Sequence, residues 1–196
     1  MLRLVAGLGN PGRKYQGTRH NAGFFVVEEL RRRGGEPEES ERAGALRCTV
    51  AMGERQVMLL RPVEYMNRSG GPLKAAMTKL GADPDEVLIV SDDFWLPFGT
   101  LRLRRSGSHG GHNGLRSIFE SLGTNEVPRL RIGIGPAPEG ADQADFVLEP
   151  FTRAERGELD EVIGRAADCV ETVAREGFQA AMNRYNRGAQ PSAGEE

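Results

Sequence analysis

The chain has 196 residues, 38% of them hydrophobic and 28% charged, with a formal net charge of −2. That size and balance predict one soluble globular domain with its own core, and they exclude a globally basic nucleic-acid binder. No apolar run reaches the roughly 18 residues of a spanning helix, and no basic segment followed by a long apolar one marks a secretory signal at the N-terminus.

Residues 2–6 form a short apolar run and predict a buried strand. Residues 21–33 predict a helix, with Phe24, Val27 and Leu30 on one side and Gly34-Gly35 as its stop. The glutamate-rich stretch 36–42 predicts a loop. Segments 46–51 and 56–60 flank Gly53 and predict a hairpin. Residues 69–80 predict a helix that tolerates Pro72 in its first turn and stops at Gly81. The wholly apolar 87–90 predicts a strand covered on both faces. Residues 101–105 and 129–134 predict strands whose alternating arginines read as a solvated face, separated by a glycine-rich loop at 106–114 and a helix at 115–122. The longest helical period spans 152–175, where Leu159, Val162, Ile163, Ala166, Cys169, Val170 and Val173 share a face. A last helix follows Gly177 to about Tyr185, and 188–196 reads as a polar, disordered tail. Strands alternating with helices, without repeat or linker, predict a single α/β domain over 1–187. Cys48 and Cys169 stand alone, which predicts two buried thiols in a reduced compartment.

Gly7, Gly9 and Gly12 spell G-x-G-x-x-G after the first strand. A dinucleotide loop needs a helix opening at the second or third glycine and an acid about 20 residues on, at the end of a second strand. Here Pro11, Lys14, Tyr15, Gln16 and Gly17 intervene, and Glu28 and Glu29 fall inside the first helix. The stretch instead gathers side chains: Asn10 beside a sharp turn, Tyr15 as a flat face, then Thr18, Arg19, His20 and Asn21 at a helix start. Three further segments put polar groups beside glycine or a strand end, namely Y65-M-N-R-S-G70, S91-D-D93 and G110-G-H-N-G114. Taken singly, Asn67, Ser69 and Asn113 read as helix caps, and Asp92-Asp93 as a solvated turn.

Together the segments resemble a family. G7-L-G-N-P-G12, Tyr15 and T18-R-H-N-A-G23 are similar to the N-terminal signature of bacterial peptidyl-tRNA hydrolases. Y65-M-N-R-S-G70, D92-D93, G110-G-H-N-G-L115 and R131-I-G-I-G135 resemble its later motifs, in order and at fitting spacing. The chain departs from the common pattern at Ser91, where His is usual, and at Trp95, where an acid is frequent. It also departs at Ser106 and His109, where glycine and alanine are usual.

The resemblance implies a three-layer sandwich, a mixed and mostly parallel twisted sheet with helices on both faces. It implies hydrolysis of the ester joining a peptide to the terminal ribose of tRNA, with His20 as general base and Asp92 orienting it. Asn10, Asn67 and Asn113 match substrate-holding positions, while Tyr15, Tyr65, Met66, Gly110 and His112 match positions lining the site. Phosphate contacts are expected from Arg102, Arg104, Arg105 and Arg116, with Lys14 and Arg131 weaker candidates. The expected partner is peptidyl-tRNA, acted on by a cytoplasmic monomer without cofactor, metal, membrane or obligatory protein partner. Two other readings are an RNA-binding family member without catalysis and a nucleotide-binding protein. No G-x-S-x-G elbow and no metal-ligand spacing appears, and His109 and His112 read as loop hydrogen-bonders or RNA contacts rather than a metal pair.

Overall fold

In the computed structural model, residues 1–186 are described, and the expected tail lies outside them. Seven strands form one mixed sheet: β1 (Leu4–Gly7), β2 (Ser40–Arg42), β3 (Ala45–Met52), β4 (Arg55–Pro62), β5 (Val87–Pro97), β6 (Leu101–Arg104) and β7 (Arg129–Gly135). Their spatial order is β2-β3-β4-β1-β5-β7-β6. The central four, β4, β1, β5 and β7, run parallel, while both flanks pair antiparallel.

The period of two along each central strand sorts side chains into two cores. Val5, Leu59, Leu88 and Val90 pack with α1 (Ala22–Arg33), α5 (Arg153–Glu176) and α6 (Phe178–Tyr185). Leu4, Ala6, Leu60, Val87 and Ile89 pack on the other face with α2 (Gly70–Leu80) and α3 (Asn113–Leu122). Helices therefore cover both faces of an apolar central sheet, as a parallel sheet requires.

The opening glycines serve packing. A Cβ on Gly7 would lie 2.2 Å from the Gly23 carbonyl oxygen, and one on Gly9 would lie 2.6 Å from the Phe24 ring. These close approaches bring α1 down onto β1.

Four features differ from the sequence expectation. β2 forms inside the expected loop 36–42, paired to β3 through Ala43 and Gly44, both at positive φ (48° and 74°). A six-residue helix, α4 (Gln143–Leu148), is too short to show a period. It starts at Asp142, whose carboxylate accepts from the N–H groups of Ala144 (2.7 Å) and Asp145 (3.1 Å). β5 runs on beyond Val90, so Asp92 and Asp93 lie buried within a strand and not in a solvated turn. The arginines of β7 are not a solvated row either, because Arg129 is buried. Its guanidinium donates to the carbonyls of Asn125 (3.0 Å), Val127 (3.1 Å) and Ser108 (3.1 Å). Burial beside Arg131 lowers its pKa to about 10.

The edge strand β6 ends at Arg104 and is closed by the Asn186 side chain. That amide accepts from the Leu103 N–H (2.6 Å) and donates to the Leu103 carbonyl (3.0 Å). One side chain thus imitates a neighbouring strand and protects the edge.

Candidate active site

β1 stops at Gly7, which is paired with Val90, so β5 carries Asp92 past its neighbour into a crevice. The crevice lies at the carboxyl ends of the parallel strands, where β1 is flanked by β4 on one side and β5 on the other. Ligands bind at such places in α/β sheets. Each element contributes from its end. A 3-10 turn after β1 (Arg19–Asn21) brings His20, and another after β4 (Met66–Arg68) brings Met66 and Asn67. The start of α3 brings Asn113, and α4, after β7, brings Ala144, Val147 and Leu148.

His20, Asp92 and His112 form the buried centre. His20 Nδ1 lies 2.9 and 3.0 Å from the two Asp92 carboxylate oxygens. His112 Nε2 lies 3.1 Å from Asp92 Oδ1. The tautomer of His112 follows from its other nitrogen. Nδ1 accepts from the backbone N–H groups of Gly114 (3.1 Å) and Leu115 (3.3 Å), so it carries no proton. The proton sits on Nε2 and is donated to Asp92. His112, not Asn113, is therefore the N-cap of α3.

With Asp92 accepting from Nδ1–H, His20 keeps Nε2 as a free lone pair. Burial works against the His20 imidazolium, but the charge and hydrogen bond of Asp92 outweigh it and raise the pKa above the ordinary histidine value. Burial would likewise raise the Asp92 carboxyl. The two histidines it faces, by charge and hydrogen bond, hold it well below the usual carboxylate range.

Two side-chain amides are oriented by their partners. Asn10 Oδ1 accepts from the Met66 N–H (2.8 Å), which leaves the NH₂ group as its free donor. Asn113 Oδ1 accepts from Arg116 at 2.5 Å, again leaving the NH₂ free. Because a backbone N–H and a guanidinium only donate, neither amide can be flipped without losing its bond. Asn10 is buried, whereas Asn67 and Asn113 are exposed.

These groups line two adjoining cavities. One, of about 250 Å³, is bounded by Asn10, His20, Tyr65, Asn67, Asn113 and Leu148 among others. The second, about 170 Å³, is bounded by His20, Asp92, Phe94, His112 and Val147 among others. Tyr65 is exposed, and its ring stands edge-on to Tyr15 at 6.5 Å. Lys14 Nζ lies 4.6 Å from the Tyr15 ring centroid. Gly110, at φ 59°, turns the loop beside Arg131, whose guanidinium is ion-paired with Asp93.

The remaining arginines are dispersed. Arg116 lines the larger cavity. Arg102 pairs in register with Arg131, and Arg104 with Arg129, one step further from the crevice. Arg105 lies over the Phe178 ring (4.8 Å) at the opposite end of the sheet, where it borders a separate cavity of about 370 Å³ with Arg55 and Arg175.

His20, Asp92 and His112 offer three ligand atoms within 4.8 Å of one another. A metal would have to displace the hydrogen bonds that already join them. His109 accepts from the Gly111 N–H (3.1 Å) within its own loop. The two thiols are far from this chemistry, and burial pushes Cys169 up to about 12.

Sequence reasoning missed the wall built by α4, for which Asp142 before an apolar trio was the available signal. It also missed the scaffolding by Asn21 and Arg19. Arg19 is buried, donates to the Pro150 carbonyl (2.9 Å) and Glu155 (2.9 Å), and lies over the Phe146 ring (4.4 Å). It thereby ties the His20 turn to α4 and to the start of α5.

Known proteins resemble the chain over nearly its whole length. A family profile described as Peptidyl-tRNA hydrolase matches residues 4–193. The peptidyl-tRNA hydrolase of Chloroflexus aggregans is 50% identical over 184 residues, 93% of this chain and 98% of that one. That of Frankia alni is 46% identical over 183 residues, 93% of both chains. The crystal structure of peptidyl-tRNA hydrolase from Acinetobacter baumannii superposes with a TM-score of 0.88 at 35% identity, covering 95% of each chain. With identity at this level over this length, the chain belongs to the peptidyl-tRNA hydrolase family.

Proposed function

We propose that the chain hydrolyses the ester between an N-blocked peptide and the 3′-terminal ribose of tRNA, with His20 as general base. The observation that carries this is the free Nε2 of a histidine held on Asp92, opening into a cavity that also presents the NH₂ groups of Asn10 and Asn113.

Water in the cavity gives a proton to His20 Nε2 as its oxygen attacks the ester carbonyl. Asp92 stabilises the imidazolium that forms, because its charge lies against Nδ1–H. The carbonyl oxygen, now an oxyanion, accepts from an asparagine NH₂, worth about 3 kcal/mol for a well-aimed donor. Collapse breaks the bond to the ribose oxygen, which takes the proton back from His20. Water and ester become a peptide carboxylic acid and a free tRNA hydroxyl, and the base is regenerated. A general base of this kind contributes roughly 10²–10⁴-fold.

The same amides account for selectivity. With their oxygens occupied, Asn10 and Asn113 turn donors toward the cavity, which suit a peptide carbonyl and repel a free ammonium. An N-blocked substrate is favoured over ordinary aminoacyl-tRNA on that ground. All of these groups come from one chain, so a single copy suffices, and two unpaired buried thiols fit a cytoplasmic setting. The test is release of tRNA from N-acetyl-aminoacyl-tRNA by the purified protein, with free aminoacyl-tRNA alongside. Cleavage of the blocked substrate alone supports the reading, and equal cleavage of both removes the role given to the amides.

A further inference from the structure

Trp95 is 64% exposed, although the chain has no other tryptophan and buries most of its large apolar side chains. It sits three residues beyond Asp92 on β5, where the pairing with β7 becomes irregular. Its backbone is fixed, since the Trp95 N–H donates to Asp93 Oδ1 (2.9 Å), and Asp93 also holds Arg131. Its ring rests on Phe94, with centroids 5.0 Å apart and planes at 43°. Phe94 in turn lines the cavity that contains His20, Asp92 and His112. A solvent-facing indole is thus backed by one aromatic ring, and that ring is part of the lining of the catalytic cavity.

An indole held this way meets three conditions for a stacking platform. It is open on its outer side, it is backed by Phe94, and two guanidiniums stand on the adjoining strands, Arg102 in register with Arg131, which is ion-paired with Asp93. Single-stranded nucleic acid is bound by this combination of an aromatic face and nearby positive charge. A protein partner is disfavoured by size, because two rings are far smaller than the roughly 1,000 Å² a specific interface needs.

We propose that Trp95 is a stacking subsite for an unpaired base of the tRNA 3′ strand, upstream of the esterified nucleotide. This rests on the hydrolase reading above. The ester must reach His20 in the cavity, and Trp95 stands against Phe94, which lines that cavity. Trp95 would act as a specificity-determining residue, recognising an unpaired base while the ester is handled elsewhere.

The indole reports on itself because it is the chain's sole tryptophan. The trinucleotide CCA is expected to quench its fluorescence saturably, while ribose 5-phosphate is expected to leave it unaltered. In parallel, kcat/KM is measured for N-acetyl-aminoacyl-tRNA and for the same acyl group esterified to a single adenosine. The ratio of the two is expected to fall about tenfold in Trp95→Ala and to recover largely in Trp95→Phe, which keeps an aromatic face. An unchanged ratio in Trp95→Ala overturns the subsite whatever the fluorescence does, and so does an equal fall in Trp95→Phe. Absence of any hydrolysis by the wild type would instead sink the enzymatic reading underneath.

Discussion

Asn21 grips the backbone of Asn10 from both directions. Its side-chain oxygen accepts from the Asn10 N–H (2.8 Å), and its side-chain NH₂ donates to the Asn10 carbonyl (3.0 Å). Both residues are buried, so no water replaces these bonds readily. The Asn10 amide faces the cavity with its oxygen committed to Met66, and Asn21 keeps the chain beneath it in place.

Asn21→Ala would leave a buried N–H and a buried carbonyl without partners. Loss of about 2 kcal/mol of stability is expected. A loss of roughly tenfold in kcat/KM on N-acetyl-aminoacyl-tRNA should accompany it, as the Asn10 donor loses its aim. Asn21→Asp, which keeps only the acceptor, should fall between. Urea unfolding and steady-state kinetics on the same samples decide this, and full activity in a destabilised Asn21→Ala would detach Asn10 positioning from catalysis.

His112 performs two tasks that substitution can separate. Asparagine is among the best N-cap residues, so His112→Asn should retain the α3 cap and cost little stability. His112→Ala should cost about 1 kcal/mol. Both remove the hydrogen bond to Asp92, so both should lower kcat by roughly tenfold. His112→Asn at wild-type turnover would confine His112 to capping.

Asp92→Asn tests the opposing causes at His20. The carboxylate raises the His20 pKa against the effect of burial. Without the charge, burial prevails and the pKa drops below the ordinary histidine value. The acid limb of the pH–rate profile lies above that value in the wild type and should move below it in the variant. Turnover should fall steeply, since an amide stabilises imidazolium poorly and selects the wrong tautomer. A limb that stays put, or rises, contradicts the assignment.

The arginines make a graded prediction. Arg102 lies level with Arg131 near the crevice, Arg104 one step away, and Arg105 at the far end of the sheet over Phe178. If Arg102 meets a phosphate, Arg102→Gln should reduce the slope of log K against log salt by about 0.7–0.9 for tRNA. Arg104→Gln should reduce it less, and Arg105→Gln should match the wild type. Equal slopes in all three variants would leave β6 outside the tRNA path.

Much of this architecture was legible from local pattern. The seven apolar positions of α5 recur at helical spacing over fifteen residues, Leu159 to Val173, and the apolar runs of β1 and β5 announce a sheet covered on both faces. The polar segments around Asn10, His20, Asn67, Asp92 and Asn113 stood out because each interrupts an apolar pattern at an element's end. What the sequence hid depends on distant partners. Arg129 looks like a surface residue until the carbonyls of Asn125, Val127 and Ser108 surround it. Gly7 looks like a phosphate-loop glycine until Gly23 packs against it. α4 has six residues, fewer than two helical turns, so no period could reveal the wall it gives the cavity.

The central claim is that His20 Nε2, freed by the bond from Nδ1 to Asp92, is the base that activates water. The most direct measurement is kcat/KM on N-acetyl-aminoacyl-tRNA across pH, for wild type and His20→Ala. The account predicts a wild-type acid limb above the ordinary histidine pKa, and a folded variant that loses about 10²–10⁴-fold in rate together with that limb. A His20→Ala protein that keeps the wild-type rate, or the same limb at reduced rate, would place the base elsewhere.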